Sequence, residues 1–570
     1  MNLDSAASSR PQPINLRSST VNAWWTALGL TALALVWRVV DLNRFATWDE
    51  LFWSHAALRF WRAVQSGAWP RTYVIGQPGV VEMWLGSLAA TVRGWLGGEA
   101  VWEASRAAGR PRYDPANLPM LGAVADEARW FTPMTGLLTA LAVGGTYLLA
   151  RRLLGGRAAL VGALLLIVNP FYLAHSRVVA LDAVLASLML LSLLAWLVYL
   201  REGHLALLLL SGIFGGLAAL QKTTGLFVLG YVGLLCLIPI ARSIARRQPW
   251  GTVAKGVVPF VGWVVVAAAT YVVVWPAMWV APVATLANLA ETLRAYAPAA
   301  HDPTFFMGEA TVAPGPLFYP LVAVFRSSPL TLLGLGLLAW RAVRRDRALP
   351  WPTVGALLLY AGLFGVALSL SAAKFERYLL PALLPLDLAA GVGLAAVFLG
   401  AYTRTTDHGP RTTKDTASGN HPSGFGPSPF VGPLLLAALL LGQGLLVLSY
   451  HPYYLAWYNP LFGGQRAAQH SLPLGWGEGM EQAAQYLAAQ PDAERLVVAS
   501  WGAVGLAPWF RGQVILPERR APWREADYAV VYVTDVQRGD DLVQAVAGRN
   551  PVFVGRVHDL DYVWVYRLRD

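Results

Sequence analysis

The chain has 570 residues, 56% of them hydrophobic and 14% charged, with a formal net charge of +11. Soluble domains carry about 25% charged residues, so a surface wetted on all sides is excluded. The basic excess lies in short loops between apolar runs, where it sets orientation in a bilayer, and no nucleic-acid partner is expected.

The polar N-terminal tail, residues 1–20, reads as cytoplasmic. The apolar run Val21–Val40 is long for a signal-peptide core and has no small-residue cleavage site, so it reads as a retained helix. Basic clusters at Arg151-Arg152 with Arg157, at Arg201, at Arg242 with Arg246 and Arg247, at Arg341 with Arg344, Arg345 and Arg347, and at Arg404, Arg411 and Lys414 mark the cytoplasmic side. The runs between them resolve into about eleven crossings of roughly 20 residues. They are 20–40, 129–150, 157–174, 178–200, 205–221, 224–241, 256–275, 317–340, 352–371, 378–402 and 430–450. The run Pro78–Leu96 carries Glu82 and Arg93 and would break the charge rule if it crossed alone. It reads as an interfacial or re-entrant helix, with a second hidden crossing in 98–128 as the alternative.

This topology makes 21–450 a transmembrane domain with a long first outer loop, 41–128. Further outer stretches are a turn from His175 to Asp182, a loop at 276–316 and a domain from 451 to 570. Segment 403–428, rich in Gly, Pro, Ser and Thr, reads as a flexible cytoplasmic linker. The C-terminal domain alternates a helix, Met480–Gln490, with strands at 495–500, 528–534, 551–557 and 561–568, so a small extracytoplasmic α/β fold is expected. No residue in it points to chemistry. The lone cysteine, Cys236, makes no disulfide and no thiolate cluster.

Ionisable residues gather at the outer helix ends. Thr47 and Glu50 have the spacing of a capping box, and Asp49 between them suits a general base for a hydroxyl. Asp182 follows Ala174-His175-Ser176-Arg177. It could orient a sugar or share a divalent cation with Asp49, although two carboxylates alone do not make a metal site. Lys222 is the first lysine of the chain. It either snorkels or meets a phosphate whose charge grows as it departs. Lys374-Phe375-Glu376-Arg377-Tyr378 offers Arg377 for forked phosphate contacts, or an interfacial anchor. Arg129, at the start of the second crossing, is a further candidate. Walker and dinucleotide motifs are absent, which disfavours a soluble nucleotide-sugar donor.

These pieces resemble the polyprenyl-phosphate-sugar-dependent glycosyltransferases of the GT-C fold, and are most similar to family 39, which includes protein O-mannosyltransferases and the aminoarabinose transferase of lipid A. The resemblance rests on Asp49-Glu50, Gln77-Pro78-Gly79, Ala174-His175-Ser176-Arg177 with Leu181-Asp182, Gln221-Lys222-Thr223-Thr224-Gly225, and Phe375-Glu376-Arg377-Tyr378-Leu379-Leu380-Pro381. The family often has His-Pro-Pro or Lys-Pro at the place of Gln77-Pro78-Gly79. The tail with Tyr453-Tyr454 and Gly475-Trp476-Gly477-Glu478-Gly479 is similar to bacterial members rather than to the eukaryotic enzymes.

The resemblance implies a mostly α, polytopic helical bundle and inverting transfer from a polyprenyl-phosphate sugar to a lipid, glycan or protein acceptor. Asp49 would be the base and Glu50 its support. Arg177, Lys222 and Arg377 would meet the donor phosphate, with Asp182, His175, Glu376 and Arg129 lining the substrate site. Metal dependence stays open. A secondary transporter, or a flippase or ligase for lipid-linked glycans, is the competing reading. A transporter would place its polar groups at the bilayer midplane and show repeats.

Overall fold

The computed structural model describes residues 16–96, 121–296, 303–402 and 430–569, apart from 372, 507 and 518–522, together with 101, 103, 104 and 106. Segment 403–428 lies outside the described residues, as do most of the N-terminal tail and much of 98–120, part of the stretch of the alternative second crossing.

Each of the eleven apolar runs is helical. Among the described residues, seven helices are long and apolar enough to cross a membrane, and an eighth span results if the bent pair Phe318–Arg326 and Pro329–Val343 counts as one. The chain is thus a multi-pass membrane protein, with fewer straight spans than expected. Leu205–Gln221 and Gly156–Val168 are shorter apolar helices. The run 317–340 is not one rod: its two halves meet at 105°. The reason is local. Ser328 leaves helical geometry, its side chain caps the Thr331 N–H, and Pro329 takes the first position of the next turn.

Two helices form the centre. Leu181–Glu202 and Glu376–Phe398 are 83% and 89% buried along their apolar windows, whereas Val257–Val274 is 6% buried and forms the rim. Helix contact here rests on small residues, which let backbones approach where apolar burial gives no advantage over lipid. A Cβ on Gly391 would lie 2.6 Å from the Gly162 nitrogen, so helices Leu380–Phe398 and Gly156–Val168 touch backbone to backbone.

Residues 41–96 fold over one end of the bundle. Helix Trp48–Gln65 packs on helix Val80–Trp95, and both lie against helix Leu121–Leu154. The run Pro78–Leu96 thus forms a helix packed on the loop's own elements, and it is not among the spans long and apolar enough to cross. The C-terminal domain holds a five-stranded sheet. Its strands are β3 (Val497–Ala499), β4 (Gln513–Ile515), β5 (Tyr528–Tyr532), β6 (Phe553–Val557) and β7 (Leu560–Arg567), following a hairpin, β1 (Thr304–Phe306) and β2 (Glu309–Thr311), in an earlier loop. The sheet order is β4-β3-β5-β7-β6. β3 runs parallel to β4 and β5, and β7 is antiparallel to β5 and β6. Spacing alone missed β4, a short strand of three residues.

Candidate active site

Asp49 lies in the first turn of helix Trp48–Gln65. The capping box is present: the Glu50 N–H donates to Thr47 Oγ1 at 3.1 Å, and the Thr47 N–H donates to Glu50 Oε2 at 3.4 Å. Glu50 also accepts from Thr132 Oγ1 at 3.1 Å and from the Val179 N–H at 3.4 Å. It is 5% exposed, and burial pushes its carboxyl up to about 7 against these hydrogen bonds. Glu50 therefore faces inward and fixes the turn, while Asp49, with its side chain 30% exposed, faces a cavity.

Four charged residues from four distant segments meet beside it. Arg377 Nη2 donates to Asp49 Oδ2 at 3.2 Å. Its Nε lies 3.4 Å from Asp182 Oδ2, close enough for an ion pair although not aligned as a hydrogen bond. Lys222 Nζ donates to Asp182 Oδ1 at 2.8 Å and sits 3.7 Å from the Tyr378 ring centroid. The order Asp49–Arg377–Asp182–Lys222 alternates in sign and is formally neutral. Asp182 and Lys222 are buried, which only a paired arrangement tolerates. Gln221 holds the base of this array. Its side-chain amide donates to Glu82 Oε2 at 3.3 Å and to the Leu181 carbonyl at 3.2 Å, and its Oε1 accepts from the Glu82 N–H at 3.0 Å. Helix Val80–Trp95 is thereby tied to the turn that carries Lys222.

The cavity, about 470 Å³, is lined by Asp49, His175, Glu376 and Arg377 together with Arg326, Tyr458, Trp476 and Glu478. Lys222 and Asp182 do not line it; they lie behind Arg377. Arg326 Nε donates to Glu376 Oε2 at 2.9 Å, and its guanidinium stacks 3.6 Å from the Tyr458 ring. Glu376 is thus committed to an ion pair. His175 is buried with Nδ1 lacking a hydrogen-bond partner among the described residues, and burial pushes its imidazole down to about 3. It is neutral near pH 7 and offers polar contacts rather than charge.

Two further expected residues lie away from both the cavity and the charged array. Arg177 donates to the carbonyls of Trp37, Val40 and Asp41 at 2.8–3.0 Å, capping the end of the first helix. Arg129 pairs with Asp126 at 3.7 Å on an exposed surface. Spacing put both near helix ends but said nothing of the direction of their side chains. Several lining residues, Arg326, Tyr458, Trp476 and Glu478 among them, are not sequence candidates for the site. Arg326 sits inside an apolar run, and a charge there is itself a signal of function. Trp476, Glu478 and Tyr458 come from beyond residue 450. Trp476 lies with its ring 4.6 Å from the Arg377 guanidinium carbon. A Cβ on Gly477, whose φ is +122°, would come within 2.2 Å of the Ala46 carbonyl oxygen. The C-terminal domain therefore presses directly on the turn that presents Asp49.

A divalent cation shared by Asp49 and Asp182 does not fit this arrangement. The Arg377 guanidinium lies between the two carboxylates, and no group of three or more metal-ligating side chains occurs among the described residues.

The model of the family described as dolichyl-phosphate-mannose-protein mannosyltransferase matches residues 121–266. No curated protein matches by sequence. Among solved structures, the chain is similar to ArnT from Cupriavidus metallidurans bound to undecaprenyl phosphate, with TM-score 0.48, 16% identity, and coverage of 96% of this chain and 98% of that one. It is also similar to the oligosaccharyltransferase AglB from Archaeoglobus fulgidus, in complex with an inhibitory peptide and a dolichol-phosphate, with TM-score 0.44, 15% identity, and coverage of 95% and 74%. The Pmt1-Pmt2 complex of S. cerevisiae, a protein O-mannosyltransferase bound to its sugar donor, matches with TM-score 0.34 and 20% identity over 46% of this chain and 34% of that one. The family match over residues 121–266 agrees, for that stretch, with the resemblance read from the sequence.

Proposed function

We propose that the chain is a membrane glycosyltransferase that moves a sugar from a polyprenyl-phosphate donor to an acceptor hydroxyl at the extracytoplasmic face, with inversion. The observation that carries this reading is one ion-paired array in which Asp49 and Arg377 face the cavity while Asp182 and Lys222 back Arg377. Basic loops at the opposite helix ends support the orientation.

In the proposed step, the acceptor oxygen bonds to the anomeric carbon as the bond from that carbon to the phosphate oxygen breaks. The acceptor proton passes to the Asp49 carboxylate. The electron pair of the broken bond leaves on the polyprenyl phosphate. Arg377 faces the cavity and uses one of its five N–H donors on Asp49, which leaves donors for the phosphate. Asp182 and Lys222 act through Arg377, which they hold in place. Attack opposite the departing phosphate inverts the anomeric centre. The acceptor is a lipid, a glycan or a protein. The transporter reading loses ground because the polar groups cluster at helix ends next to a folded domain rather than at mid-helix breaks alone.

The test is direct. Purified protein incubated with polyprenyl-phosphate hexoses and an extract of envelope glycolipids should release free polyprenyl phosphate in step with acceptor modification. Substrate movement across vesicles without release of polyprenyl phosphate would support the transporter instead.

A further inference from the structure

The C-terminal sheet has a feature that the reaction above does not use. β3 lies between β4 and β5 and is parallel to both. The chain leaves β3 for β4 on one side, then crosses to β5 on the other. The carboxyl ends of β3 and β5 therefore flank a point where the winding direction reverses, and open α/β sheets bind ligands in the crevice at such a point. Trp501 follows β3 at this end, and Thr534 and Arg538 follow β5. All three line the cavity that contains Asp49.

These side chains are uncommitted. Trp501 is 41% exposed and stacks on no other ring among the described residues. Arg538 makes no side-chain hydrogen bond or close ion pair among them, its one charged neighbour being the Asp535 carboxylate, which it helps to hold ionised. Its neighbour Asp535 is buried, and the Asp535 carboxylate accepts the Tyr532 N–H at 2.8 Å. The other two arginines of the cavity are engaged, Arg326 with Glu376 and Arg377 with Asp49 and Asp182. Thr304, from the hairpin packed on the segment 533–538, adds a hydroxyl to the same end.

Side-chain contacts give the cavity two ends. At one end Phe171, His175, Arg326 and Tyr458 cluster at the helix ends. At the other, Gly502 packs on the Trp48 ring, which meets Tyr532 edge-on at 5.6 Å. Asp49 adjoins Trp48 and stands between the two. A donor on a lipid tail must stay at the helix end, so the domain end is left for the acceptor.

We propose that the crevice between Trp501 and Arg538 is a binding subsite for a sugar ring that carries an anionic group, phosphate or carboxylate, and that it seats the acceptor. The indole offers an apolar face to the ring, the two threonines offer hydroxyls, and the free guanidinium takes the anion in forked geometry. The acceptor role rests on the glycosyl-transfer reading; the binding does not.

The experiment is arginine footprinting of the full-length, detergent-purified protein with phenylglyoxal, read at Arg538 by mass spectrometry. The probes are glucose 6-phosphate, glucuronate, glucose and inorganic phosphate, each with wild type, Trp501→Ala and Trp501→Phe. At saturation, glucose 6-phosphate, glucuronate or both should slow Arg538 modification about fivefold or more, as expected for a site blocked by a bound ligand. Glucose and inorganic phosphate should protect far less, Trp501→Ala should abolish protection, and Trp501→Phe should retain it. Which anionic sugar protects identifies the anion. Lack of protection by both anionic sugars, or protection by inorganic phosphate equal to theirs and unaffected by Trp501→Ala, would overturn the subsite. Because protection is read without turnover, it stands or falls separately from any result on Asp49.

Discussion

Asp182 is buried against two cations, and the consequences of breaking that array differ by position. Lys222→Ala leaves Asp182 with only the oblique Arg377 contact. Losing one partner of a buried pair typically costs about 3–5 kcal/mol, so the variant should have a lower melting temperature and a raised donor KM. The double change Lys222→Met with Asp182→Asn should recover much of the stability, because no uncompensated charge remains, but not the turnover, because Arg377 loses its rear support. Thermal melts and donor kinetics on both variants check this. If the double variant regained full turnover, neither residue would be positioning Arg377. The charge of these residues and their place at helix ends were legible in the sequence. Their order was not, since whether Lys222 faces the cavity or lies behind Arg377 depends on packing between segments far apart in the chain. The same limit explains Arg177, whose charge is spent on the carbonyls that end the first helix.

At the scale of elements, the Gly475–Gly479 loop and the turn before Asp49 form one joint. Gly477 has both a left-handed φ and no room for a Cβ. Gly477→Ala should therefore cost about 2 kcal/mol or more and lower kcat, by moving the Thr47–Glu50 turn. A wild-type melt and kcat would show that the two segments are not in register as described. Glu50 supplies a pH signature for the same turn. Its folded carboxyl is raised to about 7 by burial, above its unfolded value near 4.5. Stability from its protonated form is full below the unfolded value and is lost as pH rises through about 7. Wild type should lose stability between pH 5 and 8 relative to Glu50→Gln, measured as the difference in melting temperature at each pH. A constant difference would place Glu50 in water. The capping box was readable from spacing alone, but the glycine loop was not, because the contact that constrains Gly477 lies more than four hundred residues earlier.

For the whole molecule, the helical runs and the α/β character of the tail followed from periodicity and charge, because the bilayer imposes both length and loop composition. The bend at Ser327–Pro329 and the placing of the C-terminal domain against the cavity did not, since they depend on how the folded parts dock. Two expectations follow for intact cells carrying single-cysteine variants. Trp501→Cys should react with a membrane-impermeant maleimide added outside, whereas Arg152→Cys should react only after permeabilisation; the reverse pattern would invert the proposed orientation.

The account turns on Asp49 taking the acceptor proton. The most direct measurement compares Asp49→Asn with wild type in the release of polyprenyl phosphate from a lipid-linked hexose, at matched expression and melting temperature. Loss of a general base should lower turnover by about a hundredfold to ten-thousandfold with donor binding retained. Turnover within about twofold of wild type, far short of that range, would contradict the role given to Asp49.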